Sequence, residues 1–279
     1  MRRVVVLFHA LKGFFVTNNL GYCGELVRTH DYDRFLLSMF LKADIREDVW
    51  AILAYNHEIS KTREVVSEST LGLVRLQWWR DAVKGIYEEG TVLEHEVLKP
   101  LASAIKRHDL PREAFDKLAY AREFDLEDVL PGNIEGLLNY ADFTTTPLFE
   151  LIIKITGDNP AQHIIQPVAM NYALAGLLRS VKAHAKHHRV YLPEDIMQNH
   201  AVTRESLFES DGLKDVIKDI AEARLEKTKP AHIFLKGAEA LSETYFKHMA
   251  RHHYDVMSPQ CIADPAFKVL RVFCKTKIL

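Results

Sequence analysis

Leu178–Asp195 reads LRSVKAHAKHHRVYLPED. Between Leu178 and Tyr191 it carries four cations and three histidines and no acid. Continued as a helix, Arg179, Lys182 and Lys186 fall at i, i+3 and i+7 and share one face. Ser180, His184 and His188 form the column beside it. The face suits a diphosphate or lipid headgroup held directly by protein cations. It equally suits a solvated helix end whose cations meet the negative pole of the helix dipole. A transition metal on His184 and His188 would need a third ligand, and none is evident. His248, His252 and His253 form a similar helical cluster, read as exposed or capping groups.

Outward from this stretch the chain is patterned as helix. Glu47–Glu64 places Val49, Trp50, Ile52, Leu53 and Ile59 mostly at i, i+3, i+4 intervals, as one apolar stripe. Leu71–Tyr87 repeats the pattern with Leu73, Leu76, Trp79, Val83 and Ile86. Further helices are expected over 98–106, 112–124, 134–155, 161–178, 213–228 and 232–251. Turn chemistry separates them at Glu89-Gly90-Thr91, Leu130-Pro131-Gly132-Asn133, Gly157-Asp158-Asn159-Pro160 and Thr228-Lys229-Pro230. Thr144-Thr145-Thr146-Pro147 reads as a proline kink that interrupts a helix. Of Trp78 and Trp79, one must point inward. Strand-like alternation is rare, so the expectation is one all-α domain over residues 21–279, packed around a shared centre.

With 279 residues, 48% hydrophobic and 27% charged, the chain has the composition of a globular protein with a sizeable core. A net charge of −2 gives no electrostatic footprint for nucleic acid. Cys23, Cys261 and Cys274 form no C-x-x-C pair, which argues against disulfides or zinc and for a reducing compartment. Residues 1–20 are acid-free, with Arg2, Arg3 and Lys12, and the apolar run Val4–Val16 is broken by His9, Lys12 and Gly13. That run is too short to span a bilayer; it reads as a first helix, a ragged start or an organelle leader. No other segment is long and apolar enough to cross a membrane, so a soluble or peripheral protein is expected. No Ser/His/Asp or Cys/His nucleophile set and no glycine-rich phosphate loop is present in the sequence.

Three stretches together resemble the squalene/phytoene synthase family: AILAYNHEISKTRE (Ala51–Glu64), LGLVRLQWWRDAV (Leu71–Val83) and LRSV leading to RVYLPED. Leu110–Asp128 and Phe246–Pro259 fit more loosely. The resemblance implies an all-α isoprenoid-synthase-like bundle with a central cavity, in which two prenyl diphosphates are joined head to head. That chemistry needs Mg²⁺ to neutralise the departing diphosphate, held through oxygen by D-x-x-x-D pairs on facing helices. Carried over residue by residue, the first pair falls on Ser60 and Glu64 and the second on Ser180 and His184. Of four expected carboxylates, only Glu64 remains. The surrounding framework persists at Arg179, Val181, Arg189, Tyr191, Leu192 and Pro193; with Lys182 and Lys186 of the basic face, Arg179, Arg189 and Tyr191 make up the expected diphosphate- or anion-binding set. Asn56 with Ser67, Glu68, Thr70, Gly72, Arg75, Gln77 and Trp79 resembles the branch containing the mitochondrial complex I assembly factor and its bacterial relatives.

The resulting expectation is a scaffold or assembly factor of the respiratory complex I type, without a cofactor, whose central apolar cavity holds an isoprenoid or lipid. The alternative is an active, Mg²⁺-dependent head-to-head prenyl transferase that uses Glu64, Glu58 or Asp125, with Asp128 nearby, around the metal. A third reading is a membrane-surface module acting through the basic stretch and the N-terminus. The partners expected are a prenyl diphosphate or lipid, respiratory-complex subunits or a membrane surface, and no nucleic acid. A bacterial chain would then work in the cytoplasm or at the inner membrane, a eukaryotic one in the mitochondrial matrix or at its inner membrane.

Overall fold

A computed structural model describes residues 20–127, 129–186 and 189–277. The N-terminal segment 1–19, Asp128, His187 and His188 lie outside the described residues, and so do the expectations placed on them. Among the described residues every regular element is helical, and none of the helices is long and apolar enough to cross a membrane.

Helix α1 (Tyr22–His30) gives way to α2 (Tyr32–Ser38) at Asp31, whose carboxylate caps α2 by accepting from the Arg34 amide. Helix α3 (Arg46–Ser60) is central: Asp48 to Asn56 are buried without interruption, so its apolar surface is all-round and not the single stripe expected. It stops at Lys61, and α4 (Thr62–Val65) follows as one separate turn, where a single helix to Glu64 was expected.

Helix α5 (Ser69–Glu88) buries Gly72, Leu76, Trp79 and Val83 and leaves Trp78 41% exposed, so Trp79 is the inward one. Helices α6 (Leu98–His108) and α7 (Arg112–Ala121) follow, and a 3-10 turn at Phe124–Leu126 replaces the expected end of α7. Helix α8 (Ile134–Thr156) starts at the Asn133 cap and ends at left-handed Gly157. It runs through Pro147 without a break; the Thr144 hydroxyl bonds back to the Tyr140 carbonyl inside the helix.

Helix α9 (Gln162–Arg179) ends at Ser180, and α10 (Val181–Lys186) begins anew. After α11 (Glu194–Asn199), α12 (Leu213–Glu222) is six residues shorter than expected. The reason lies in Asn171, whose amide donates to the Leu225 carbonyl and accepts from its amide, holding the chain outside the helix. Helix α13 (Ile233–Arg251), α14 (Pro259–Ile262) and α15 (Lys268–Lys277) complete the order. Helices α8, α9, α13 and α15 pack in succession, and α1, α3 and α6 close the other side. Their buried apolar faces join in one core running from Cys23 to Val272.

Candidate functional site

A cleft of about 520 Å³ opens where the start of α2, the middle of α8, the end of α9 and the α14–α15 connection converge. Its walls carry Asp33, Arg34, Arg122, Arg179, Asp264 and Lys268, together with Tyr140, Tyr172 and Tyr245. The cleft is lined by these charged and phenolic groups together with Ala173, Gly176 and Leu177. The start of α2, the end of α9 and the α14–α15 connection each bring charged side chains to it, and α8 brings Tyr140, Thr144 and Thr145.

They are paired in two clusters. In the first, Lys268 Nζ lies 2.8 Å from Asp33 Oδ1 and 2.8 Å from Asp264 Oδ2. Arg179 bridges the same two carboxylates at 3.3 and 3.2 Å, with its guanidinium 3.6 Å above the Tyr245 ring. The Tyr245 hydroxyl donates to Asp33 as well. Burial, followed by the neighbouring Asp33 charge, pushes the Tyr245 phenol up, which keeps it neutral and a donor.

The second cluster surrounds Asp125 at the back of the cleft. Oδ1 accepts from the hydroxyls of Tyr140 at 2.7 Å and Tyr191 at 2.8 Å, and Arg122 stands 3.5 Å from Oδ2. Arg122 also reaches Asn56 Oδ1 at 3.4 Å. Burial and then Asp125 raise both phenols far above the usual tyrosine range. Tyr191, from the family framework, thus reaches Asp125 directly, and Asn56, from the assembly-factor-branch match, joins the cluster through Arg122. Between the clusters, Asp31 holds Arg34 at 2.6 Å.

The expected ligand positions are not drawn together. Ser180 and His184 line the cleft, and the His184 ring packs edge-on against Tyr191 at 4.9 Å. The Ser60 hydroxyl instead bonds the His57 carbonyl of its own helix at 3.0 Å. Glu64 is exposed and stands 3.9 Å from Arg189. Glu58, an alternative Mg²⁺ ligand, is buried between Lys61 at 2.6 Å and Arg75 at 2.9 Å. A divalent ion at Glu58 or Asp125 would have to displace a protein cation or two tyrosine hydroxyls. Among the described residues no three His, Cys, Asp or Glu side chains group as a metal site. The donors that the family chemistry asks of Mg²⁺ are not gathered here.

The anion set also disperses. The break at Ser180 turns Lys182 to the Met257 carbonyl at 2.7 Å, and Lys186 is exposed. Arg179 alone of the five lines the cleft, and it is engaged by two aspartates. The sequence reading missed Asp33, Tyr245, Asp264 and Lys268. One signal was available: THDYDR, Thr29–Arg34, sets five charged or ionisable groups directly against the buried run FLLSMF.

The model of the family described as squalene/phytoene synthase matches residues 27–258. The chain belongs to the squalene/phytoene synthase family. A human relative, "NADH dehydrogenase (ubiquinone) complex I, assembly factor 6", is 33% identical over 253 residues, 85% of this chain and 76% of that protein. A phytoene synthase from Thermus thermophilus is 28% identical over 184 residues, 66% of this chain and 62% of that enzyme. The crystal structure of a dehydrosqualene synthase superposes with a TM-score of 0.75 over 97% of each chain at 14% identity. A squalene synthase from Alicyclobacillus acidocaldarius gives 0.68 over 83% of this chain and 93% of its own, at 17% identity. These likenesses place the cleft inside the all-α fold of the squalene/phytoene synthase family.

Proposed function

We propose that this member of the squalene/phytoene synthase family is a non-catalytic assembly factor for a respiratory complex I type enzyme and works without Mg²⁺. The observation that carries the reading is the Lys268 ammonium and Arg179 guanidinium shared between Asp33 and Asp264. Protein cations there neutralise the carboxylates of the cleft, and the four positions of the two aspartate motifs hold Ser60, Glu64, Ser180 and His184. The similarity to the human complex I assembly factor supports the same reading. Its place of action is then the face of the membrane that carries the complex, reached as a peripheral protein.

The test is genetic and biochemical. Deleting the gene in its host should reduce fully assembled NADH:ubiquinone oxidoreductase on native gels, and the intact chain should restore it. Glu64→Ala should restore it equally well, since the exposed Glu64 meets only Arg189 at 3.9 Å. Unchanged complex levels after deletion would overturn the proposal.

A further inference from the structure

Helix α5 carries a second surface that shares no residue with the cleft. Leu71, Val74 and Trp78 lie at i, i+3 and i+7 on its outer face. The chain after α5 folds back along the helix: the Thr91 amide donates to the Gly85 carbonyl, and the His95 ring lies 5.9 Å from that of Trp78. Val92 and Leu93 lie in the chain between these two anchors. All five apolar side chains are between 40% and 63% exposed. An exposed apolar helix stripe of this length is a surface that can receive the apolar face of an amphipathic helix.

The charges around it are one-sided. Each cation of α5 is held by an acid away from the stripe: Arg75 by Glu58 at 2.9 Å, Arg80 by Glu123, and Lys84 by Glu88 at 3.6 Å. Glu68, Asp81 and Glu89 are exposed, and no ion pair is formed by them among the described residues. The face therefore offers apolar contact beside exposed acids. Such acids repel an anionic lipid surface and attract Lys and Arg.

We infer that the Leu71–Val74–Trp78 face docks an amphipathic helix of a protein partner, with apolar residues at i, i+3 or i+4 and i+7 and Lys or Arg along its flanks. This goes beyond the proposed function, and a failure of one leaves the other standing, because the face and the cleft are probed by different readouts.

Trp78 is the built-in reporter. The chain has three tryptophans, and Trp50 and Trp79 are buried, so acrylamide quenching of the full chain reads Trp78. The probes are two synthetic helices of about 18 residues, one of Leu and Lys and one of Leu and Glu with the same apolar face. The Leu/Lys peptide should shield Trp78 and bind at least about tenfold more tightly than the Leu/Glu peptide. Asp81→Lys with Glu89→Lys should reverse that order. Val74→Asp should abolish shielding by either peptide with thermal unfolding unchanged. Equal shielding by both peptides, or stronger shielding by phosphatidylglycerol vesicles, would overturn the inference. So would a photo-cross-linker at position 74 of the full chain that captures residues 1–19 or a second copy.

Discussion

Lys268 shows how one side chain sets the character of the cleft. Its stem is nearly buried, and its ammonium meets Asp33 and Asp264 at 2.8 Å each. Removing one partner of such a pair leaves a carboxylate with less compensation. Asp33 keeps Arg179 and Tyr245, and Asp264 is half exposed, so the loss is moderated. Lys268→Met should lower stability by about 2 kcal/mol in urea unfolding. An unchanged midpoint would mean that the pairing contributes nothing to folding. The histidines act at the same scale. Burial, then the stacked His30, lowers the affinity of His57 for a proton, and burial does the same for His232. Both therefore bind fewer protons folded than unfolded below the ordinary histidine value of 6.5. Stability should fall as pH drops from about 7.5 to about 5.5, and His57→Asn with His232→Asn should flatten part of that fall. Urea midpoints across the range check the sign, and a midpoint that rises on acidification would contradict it.

At the scale of the element, close approach matters as much as pattern. Helix α1 packs on α3 through Gly24, and a Cβ added there would sit 2.8 Å from the Trp50 ring. The ring has little room to move, since its indole donates to Ser38 Oγ at 2.8 Å and stacks on Phe35. Alanine favours a helix by about 1 kcal/mol over glycine. Gly24→Ala should nonetheless destabilise the protein by about 1–3 kcal/mol, measured by thermal or urea unfolding. A stabilised variant would show that α1 slides freely on α3.

The helices themselves were largely legible, because a 3.6-residue period runs clearly through α5, α8 and α13. Their ends were less so. The breaks at Lys61 and Ser180 carry no glycine or proline, and the early stop of α12 depends on Asn171, which lies 54 residues away from Leu225. The break at Ser180 has the largest consequence. A single i, i+3, i+7 face through Arg179, Lys182 and Lys186 needs one helix, and the chain forms two.

For the whole molecule, the motif stretches were enough to place the chain in its family, and the family carries the all-α fold with it. The site was only half legible. Asn56, Arg179 and Tyr191 stood in recognisable motifs and do converge on the cleft or the Asp125 cluster. Asp33, Tyr245, Asp264 and Lys268 are lone charged or phenolic residues from segments separated by up to 235 positions. No local spacing connects such groups; the packing of α13 on α15, of α9 on α13 and of α2 on α13 brings them together. Their mutual neutralisation is the feature on which the proposed Mg²⁺-independent role rests. The most direct measurement is diphosphate release by the purified full chain supplied with farnesyl or geranylgeranyl diphosphate and Mg²⁺. The account predicts no release above the protein-free control. Mg²⁺-dependent turnover that disappears with Glu64→Ala would contradict it.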